Sequence, residues 1–249
     1  MTDSVQNSSV QDLLAMALRG CQIARASAEA LLEGIRTRQE APLDKVFADE
    51  DELDTLNRKV NQAVVRLIPE IQDAVHAREL VACLKFVIEL ERIGDLLLNV
   101  VNRFRAAAPR LHPTDINELA DMTSLIVTML AGVEEAFAGR DVARAMAVLR
   151  EDSELDRRRN LMIVRHVENP ENLPVEESFH MVFMAQILER SGDHVKHLAE
   201  EVCHLVAGRS ARHLQREYEK PREILAMERN RKAKQTAELK SQIGVRPGR

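Results

Sequence analysis

A six-residue string, Leu90-Glu91-Arg92-Ile93-Gly94-Asp95, recurs as Leu188-Glu189-Arg190-Ser191-Gly192-Asp193 with a single difference. Self-similarity over such a distance is the mark of one supersecondary unit used twice. A second match precedes each copy at nearly the same offset: Glu50-Asp51-Glu52-Leu53-Asp54 parallels Asp152-Ser153-Glu154-Leu155-Asp156. Chain breakers fall in few places, at Ala41-Pro42, from Pro109 to Pro113, from Asn169-Pro170 to Pro174, and at Gly208 and Pro221. Between them apolar residues recur at helical spacing. The pattern predicts helices over 10–38, 43–75, 77–106, 114–138, 140–167 and 174–208, each spanning ~40 Å. Each hexapeptide then lies midway along the third helix of its group of three. The expected fold is all-α: two tandem three-helix bundles related by the repeat, 10–108 and 113–209, followed by a basic segment, 210–249, that reads as a solvated helix fraying into disorder.

Composition supports this and removes other classes. Aromatics make up only 3% of the chain and Trp is absent, which disfavours a turn-rich all-β fold. The net charge of -5 hides an asymmetry, because the segment after 210 carries about six more basic than acidic residues, leaving an acidic body. Such a body, poor in stacking side chains, excludes nucleic acid as a partner. Cys21, Cys83 and Cys203 have no CxxC spacing and suggest neither a zinc knuckle nor a disulfide framework. The polar first residues lack a signal-peptide pattern, and no run approaches ~18 uninterrupted apolar residues. The expectation is a cytoplasmic protein, neither exported nor integral. At the helix ends, Thr114 or Asp115 is expected to cap the fourth helix, Glu176 and Glu177 to charge the first turn of the sixth, and Gly208 to stop it.

The repeated strings carry the chemistry. Glu91 and Asp95 lie one turn apart on one helix face, as do Glu189 and Asp193. At about 100° per residue, Glu91 shares its sector with Leu80, Leu84, Val87 and Leu98, so the acids sit at the border of the apolar arc. Half-buried like charges repel and are costly to keep ionised unless something positive compensates. The second helices supply Glu50 and Asp54 in the first half and Asp152 and Asp156 in the second, at the same spacing. Gly94 and Gly192 each cost about 1 kcal/mol against alanine inside a helix, which implies close approach of a neighbouring helix. All-oxygen ligation suits hard cations, Mg, Mn or Ca, and also Fe. His197, one turn beyond Asp193 with Glu200 on the same face, would turn the second half toward Fe, Zn or Ni.

Other readings stand beside this one. The carboxylates could pair with Arg92 and Arg190 as ordinary surface ion pairs. Glu177-x-x-His180 and Glu201-x-x-His204 match the spacing of ferritin-like di-iron proteins, but both lie on one helix with diverging faces, and the histidines read as solvated or rim residues. No nucleophile or phosphate-loop signature occurs, so the chain is expected not to be an enzyme. The cysteines and methionines read as core filler.

The duplicated hexapeptide, Asn99 beyond its first copy, and the two preceding acidic segments together resemble the PhoU family over roughly residues 10–215. The resemblance implies paired three-helix bundles holding multinuclear metal clusters, with Glu50, Asp54, Glu91 and Asp95 as ligands in the first and Asp152, Asp156, Glu189 and Asp193 in the second. It implies a negative regulator of phosphate uptake and of the phosphate-starvation response. Such proteins bridge the ATPase subunit of a phosphate ABC transporter and a membrane sensor histidine kinase, often as homodimers. This chain departs from the family pattern at Glu50, where Asp is usual, at Ser191, where Ile is usual, and at His197, where Asn is usual. Three rivals remain: a metal-free helical scaffold, a di-iron oxidase, and service to a different phosphate carrier. The basic tail could add weak affinity for an anionic membrane leaflet or serve only solubility.

Overall fold

The computed structural model describes residues 2–168, 174–208 and 211, and among these no strand occurs. Six long helices follow one another: α1 (Thr2–Thr37), α2 (Glu40–Leu67), α3 (Ala74–Ala107), α4 (Pro113–Gly139), α5 (Val142–Ile163) and α6 (Val175–Ala207). All six expected helices are present, and their ends differ for local reasons. α2 starts three residues early because Pro42 fits the first turn, where its missing N–H has no intrahelical role. It stops at Leu67, where Pro69 forces a short 3-10 turn, Ile68–Glu70, before Asp73 caps α3 by accepting from the Val75 and His76 N–H groups.

The cap of α4 is His112 and neither Thr114 nor Asp115. Pro113 takes the first helical position, so the capping role moves one residue earlier and the His112 ring accepts from Thr114 N–H. Asp115 is thereby free for another role. It is buried, 3.2 Å from an Arg165 guanidinium nitrogen and 3.3 Å from His166 Nε2, while His166 Nδ1 lies 3.2 Å from Ser178 Oγ. A π-helical turn, Val164–Glu168, delivers His166 to this polar knot between α4 and α6. At the far end Gly208 adopts φ 65° and its N–H returns to the His204 carbonyl, stopping α6 as expected.

Within each group of three the helices pack on one another, and the groups join along α1–α4 and, most extensively, α3–α6. The chain through Gly208 is one unit. Phe86 of α3, fully buried, meets Phe137 of α4 with ring centroids 4.5 Å apart. Such a pair contributes about 0.5–1.5 kcal/mol beyond its buried area. Arg25 of α1 reaches Glu134 of α4 at 2.7 Å, and Lys85 of α3 reaches Glu201 of α6 at 2.8 Å. α4 is long and apolar enough to cross a membrane by length and composition. Its Leu119, Met122, Ile126, Met129, Leu130 and Val133 are buried against α1, α5 and α6, which accounts for its apolarity. The three cysteines are buried and free, and burial pushes the Cys203 thiol up to about 11 and Cys83 to about 12. The basic segment 210–249 lies outside the described residues, except for Ala211.

Candidate metal centre

Two glycines decide how near the acidic helices come. A Cβ on Gly94 would stand 2.9 Å from Leu53 Cδ1 and 3.7 Å from Glu50 Cγ, and one on Gly192 would stand 2.3 Å from Leu155 Cδ1. Leu53 and Leu155 are the matching leucines of the two acidic segments. Each repeat therefore seats the leucine of its second helix on the glycine of its third, and the flanking acids follow.

In the first half this sets Glu50 and Asp54 of α2 near enough to Glu91 and Asp95 of α3 for their charges to interact, while among the described residues the group of three donor atoms gathered within 4.8 Å is Glu89, His194 and His197. Burial, then the charges of Asp95, Asp51 and Asp54, hold the Glu50 carboxyl above its ordinary range. Glu91 is raised as well, by burial and then by Asp95 and Asp54, with the charge of Arg92 opposing. Asp54, at the exposed edge, is met by Arg58. Among the described residues no Lys, Arg or His nitrogen forms an ion pair with Glu50, Glu91 or Asp95. Arg92, a candidate partner for these acids, makes its ion pair with Glu89 instead, at 3.6 Å. A proton or a cation is what relieves this cluster, and an oxygen-only donor set fits a hard cation.

The second half brings the same four positions together but fills them differently. Asp152 is buried and accepts from Lys196, whose ammonium is held above its usual range by that hydrogen bond and also feels Asp193 and Glu200. Arg159 reaches Asp156 at 3.2 Å and Glu189 at 3.6 Å. Burial raises the Glu189 carboxyl, Arg159 lowers it, and Asp193 and Asp156 raise it again, leaving it above the ordinary range. In the repeat register Lys196 stands where the first half has Leu98, and Arg159 where it has Asn57. The protein's own cations thus occupy the second cluster.

A third group joins the halves. Glu89 of α3 lies 2.5 Å from His194 Nδ1 and 3.5 Å from His197 Nδ1, both on α6. Burial would raise the Glu89 carboxyl, but the hydrogen bond and charge of His194, with His197 behind it, hold it below the usual range. The two histidines are one helical turn apart, a spacing visible in sequence; Glu89 belongs to the other repeat and becomes their neighbour only through α3–α6 packing. The ferritin-like alternative finds no support, since Glu177 and Glu201 face Arg110 and Lys85.

Comparison with known proteins agrees with this architecture. The family model described as "PhoU domain" matches twice, over residues 18–104 and 119–202. A "Phosphate-specific transport system accessory protein PhoU homolog 1" from Thermotoga maritima is 27% identical over 184 residues, 72% of this chain and 79% of that one. A PhoU homolog from Caulobacter vibrioides is 32% identical over 172 residues, 66% of this chain and 73% of its own length. The crystal structure of PhoU from Pseudomonas aeruginosa superimposes with a TM-score of 0.74 at 23% identity, covering 82% of this chain and 99% of that one.

Proposed function

This chain belongs to the PhoU family of phosphate transport accessory proteins, and on that premise we propose that it is a metal-binding regulatory adaptor restraining phosphate uptake and phosphate-starvation signalling. In this reading it works in the cytoplasm, as a homodimer, by contacting the ATPase subunit of a phosphate transporter and a sensor histidine kinase. The observation that carries it is the first-half cluster: three half-buried or edge carboxylates, Glu50, Glu91 and Asp95, none of which makes an ion pair among the described residues, with Arg92 acting on Glu91 only through its charge. Glu50, Asp54, Glu91 and Asp95 would hold a divalent or trivalent cation, of the Mg, Mn or Fe class. When bound, that ion supplies the positive charge the cluster lacks. The chain's own residues do the rest: Leu53 on Gly94 sets the separation of α2 and α3, and the carboxylates define a surface whose charge differs between the free and the cation-filled state. A partner that recognises one charge state responds to the other by losing contact, so binding selects between surfaces.

The second half supports a narrower role. With Lys196 and Arg159 already among Asp152, Asp156, Glu189 and Asp193, this cluster holds two internal cations for its four carboxylates and calls for a metal less than the first does, so a metal-free scaffold is the better description of that half. The test is genetic. Deletion in the native host should raise phosphate uptake under phosphate-replete conditions, the intact gene should restore restraint, and Glu50→Gln with Asp95→Asn should restore it poorly while Asp152→Asn restores it well. Unchanged uptake on deletion sinks the regulatory assignment.

A further inference from the structure

The geometry points to a third, chemically distinct metal site: Glu89, His194 and His197 bind one ion of the zinc, cobalt or nickel class where α3 crosses α6. The three donor atoms lie within 4.8 Å of one another, one carboxylate oxygen and two imidazole nitrogens. Two histidines and one carboxylate are the donor set of three-ligand zinc sites that keep a fourth position for solvent. Nitrogen donors also separate this site from the oxygen-only acids of Glu50 and Asp95, since imidazole favours zinc, nickel and cobalt over magnesium or calcium.

The dimensions are suitable. Ligand bonds of about 2.0–2.1 Å in tetrahedral geometry place donors roughly 3.3 Å apart. His197 Nδ1 is already 3.5 Å from Glu89 Oε2. His194 Nδ1, at 2.5 Å, makes a direct hydrogen bond that the ion would replace, which asks the pair to part by less than about 1 Å. The rings meet edge to face, centroids 5.9 Å apart at 84°, so two nitrogens converge on Glu89 without the rings stacking. A cavity of about 330 Å³ bordered by His194, Arg92, Asp95, Leu96, Asn99 and Arg190 opens beside His194, and Arg92 pairs with Glu89 Oε1 at 3.6 Å, leaving Oε2 to face the histidines.

The site has no duplicate. In the repeat register Ile187 corresponds to Glu89, and Leu96 and Asn99 to the two histidines, so the symmetry-related place carries one polar side chain and no charge. One ion per chain is therefore expected, and it would fasten the first repeat to the second, whereas each acidic cluster lies within one repeat.

Cobalt titration of the chelator-stripped full chain tests this, because tetrahedral, imidazole-bound Co2+ absorbs visible light far more strongly than Co2+ in an octahedral oxygen site. The expected result is an intense band saturating at one equivalent, retained in Glu50→Gln/Glu91→Gln, with affinity reduced by more than about 100-fold in His194→Ala/His197→Ala, a loss beyond what removing a supporting group costs. His197→Ala alone, at a side chain 52% exposed and so harmless to folding, should also weaken it. An absent band in the parent, a band unchanged in the double histidine variant, or a band abolished by Glu50→Gln/Glu91→Gln would overturn the assignment. The last outcome would leave the carboxylate-cluster reading standing, and unchanged uptake in the genetic test would leave this site untouched.

Discussion

Replacing Lys196 by leucine would restore at the second cluster the residue that the first cluster carries at Leu98. The Asp152 side chain is 12% exposed and that of Lys196 35%. Breaking a fully buried pair costs about 3–5 kcal/mol, whereas an exposed pair contributes about 0–1. This pair lies between those limits, so Lys196→Leu should cost about 1–3 kcal/mol in the absence of metal. For a unit of this size each kcal/mol moves the unfolding midpoint by about 2–4 °C, so the loss is several degrees. The four carboxylates then keep only Arg159, at Asp156 and Glu189, and a hard cation becomes the remaining source of charge for Asp152. Thermal unfolding in EDTA and in millimolar Mn2+ reads both effects: the variant should unfold earlier than the parent in EDTA and recover more of its midpoint on adding Mn2+. A variant as stable as the parent in EDTA, or one that gains no more than the parent from Mn2+, would refute the view that Lys196 substitutes for a metal.

Three further outcomes follow from the same geometry. Gly192→Ala gains about 1 kcal/mol of helix propensity but drives a methyl to 2.3 Å from Leu155 Cδ1, and overpacking of about 1–3 kcal/mol should make it destabilising by urea unfolding, more so than Gly94→Ala, whose neighbour stands at 2.9 Å. Arg140→Gly suits the left-handed backbone there, φ 49°, yet strands Glu79, whose side chain is 6% exposed; a net loss of about 2–3 kcal/mol is expected, relieved when Glu79→Gln is added. Glu50 and Glu91, held above the ordinary value of 4.5 by burial and then by Asp95, must release protons before a cation binds. Mn2+ affinity should therefore rise with pH above 4.5 until both are ionised. In metal-free protein the stability these two groups add is present at low pH and lost as pH rises through their raised values, which pH-dependent unfolding can follow.

Much of the first cluster is legible in the sequence because it lies within one repeat. Helical spacing puts Glu91 and Asp95 on one face, the interior Gly94 announces a close neighbour, and the matching Leu53 and Leu155 identify which helix that is. The occupancy of the second cluster is less legible. Lys196 and Arg159 look like ordinary surface cations until α5 and α6 are packed, and only then do they fall among acids. Glu89 with His194 and His197 lies further out of reach, since pairing α3 with α6 is a relation between repeats that no periodicity within either encodes. His166 continues the buried face of α5, four residues beyond Met162, but its partners Asp115 and Ser178 come from α4 and α6 and become its neighbours only on packing.

The central claim, that the first cluster depends on a cation and the second does not, reduces to a Mn2+ binding isotherm on chelator-stripped protein, followed by loss of the free-ion electron paramagnetic resonance signal. The tight Mn2+ sites should vanish in Glu50→Gln/Asp95→Asn and persist in Asp152→Asn/Asp156→Asn. Tight binding that survives the first substitution, or that is abolished by the second, would contradict it.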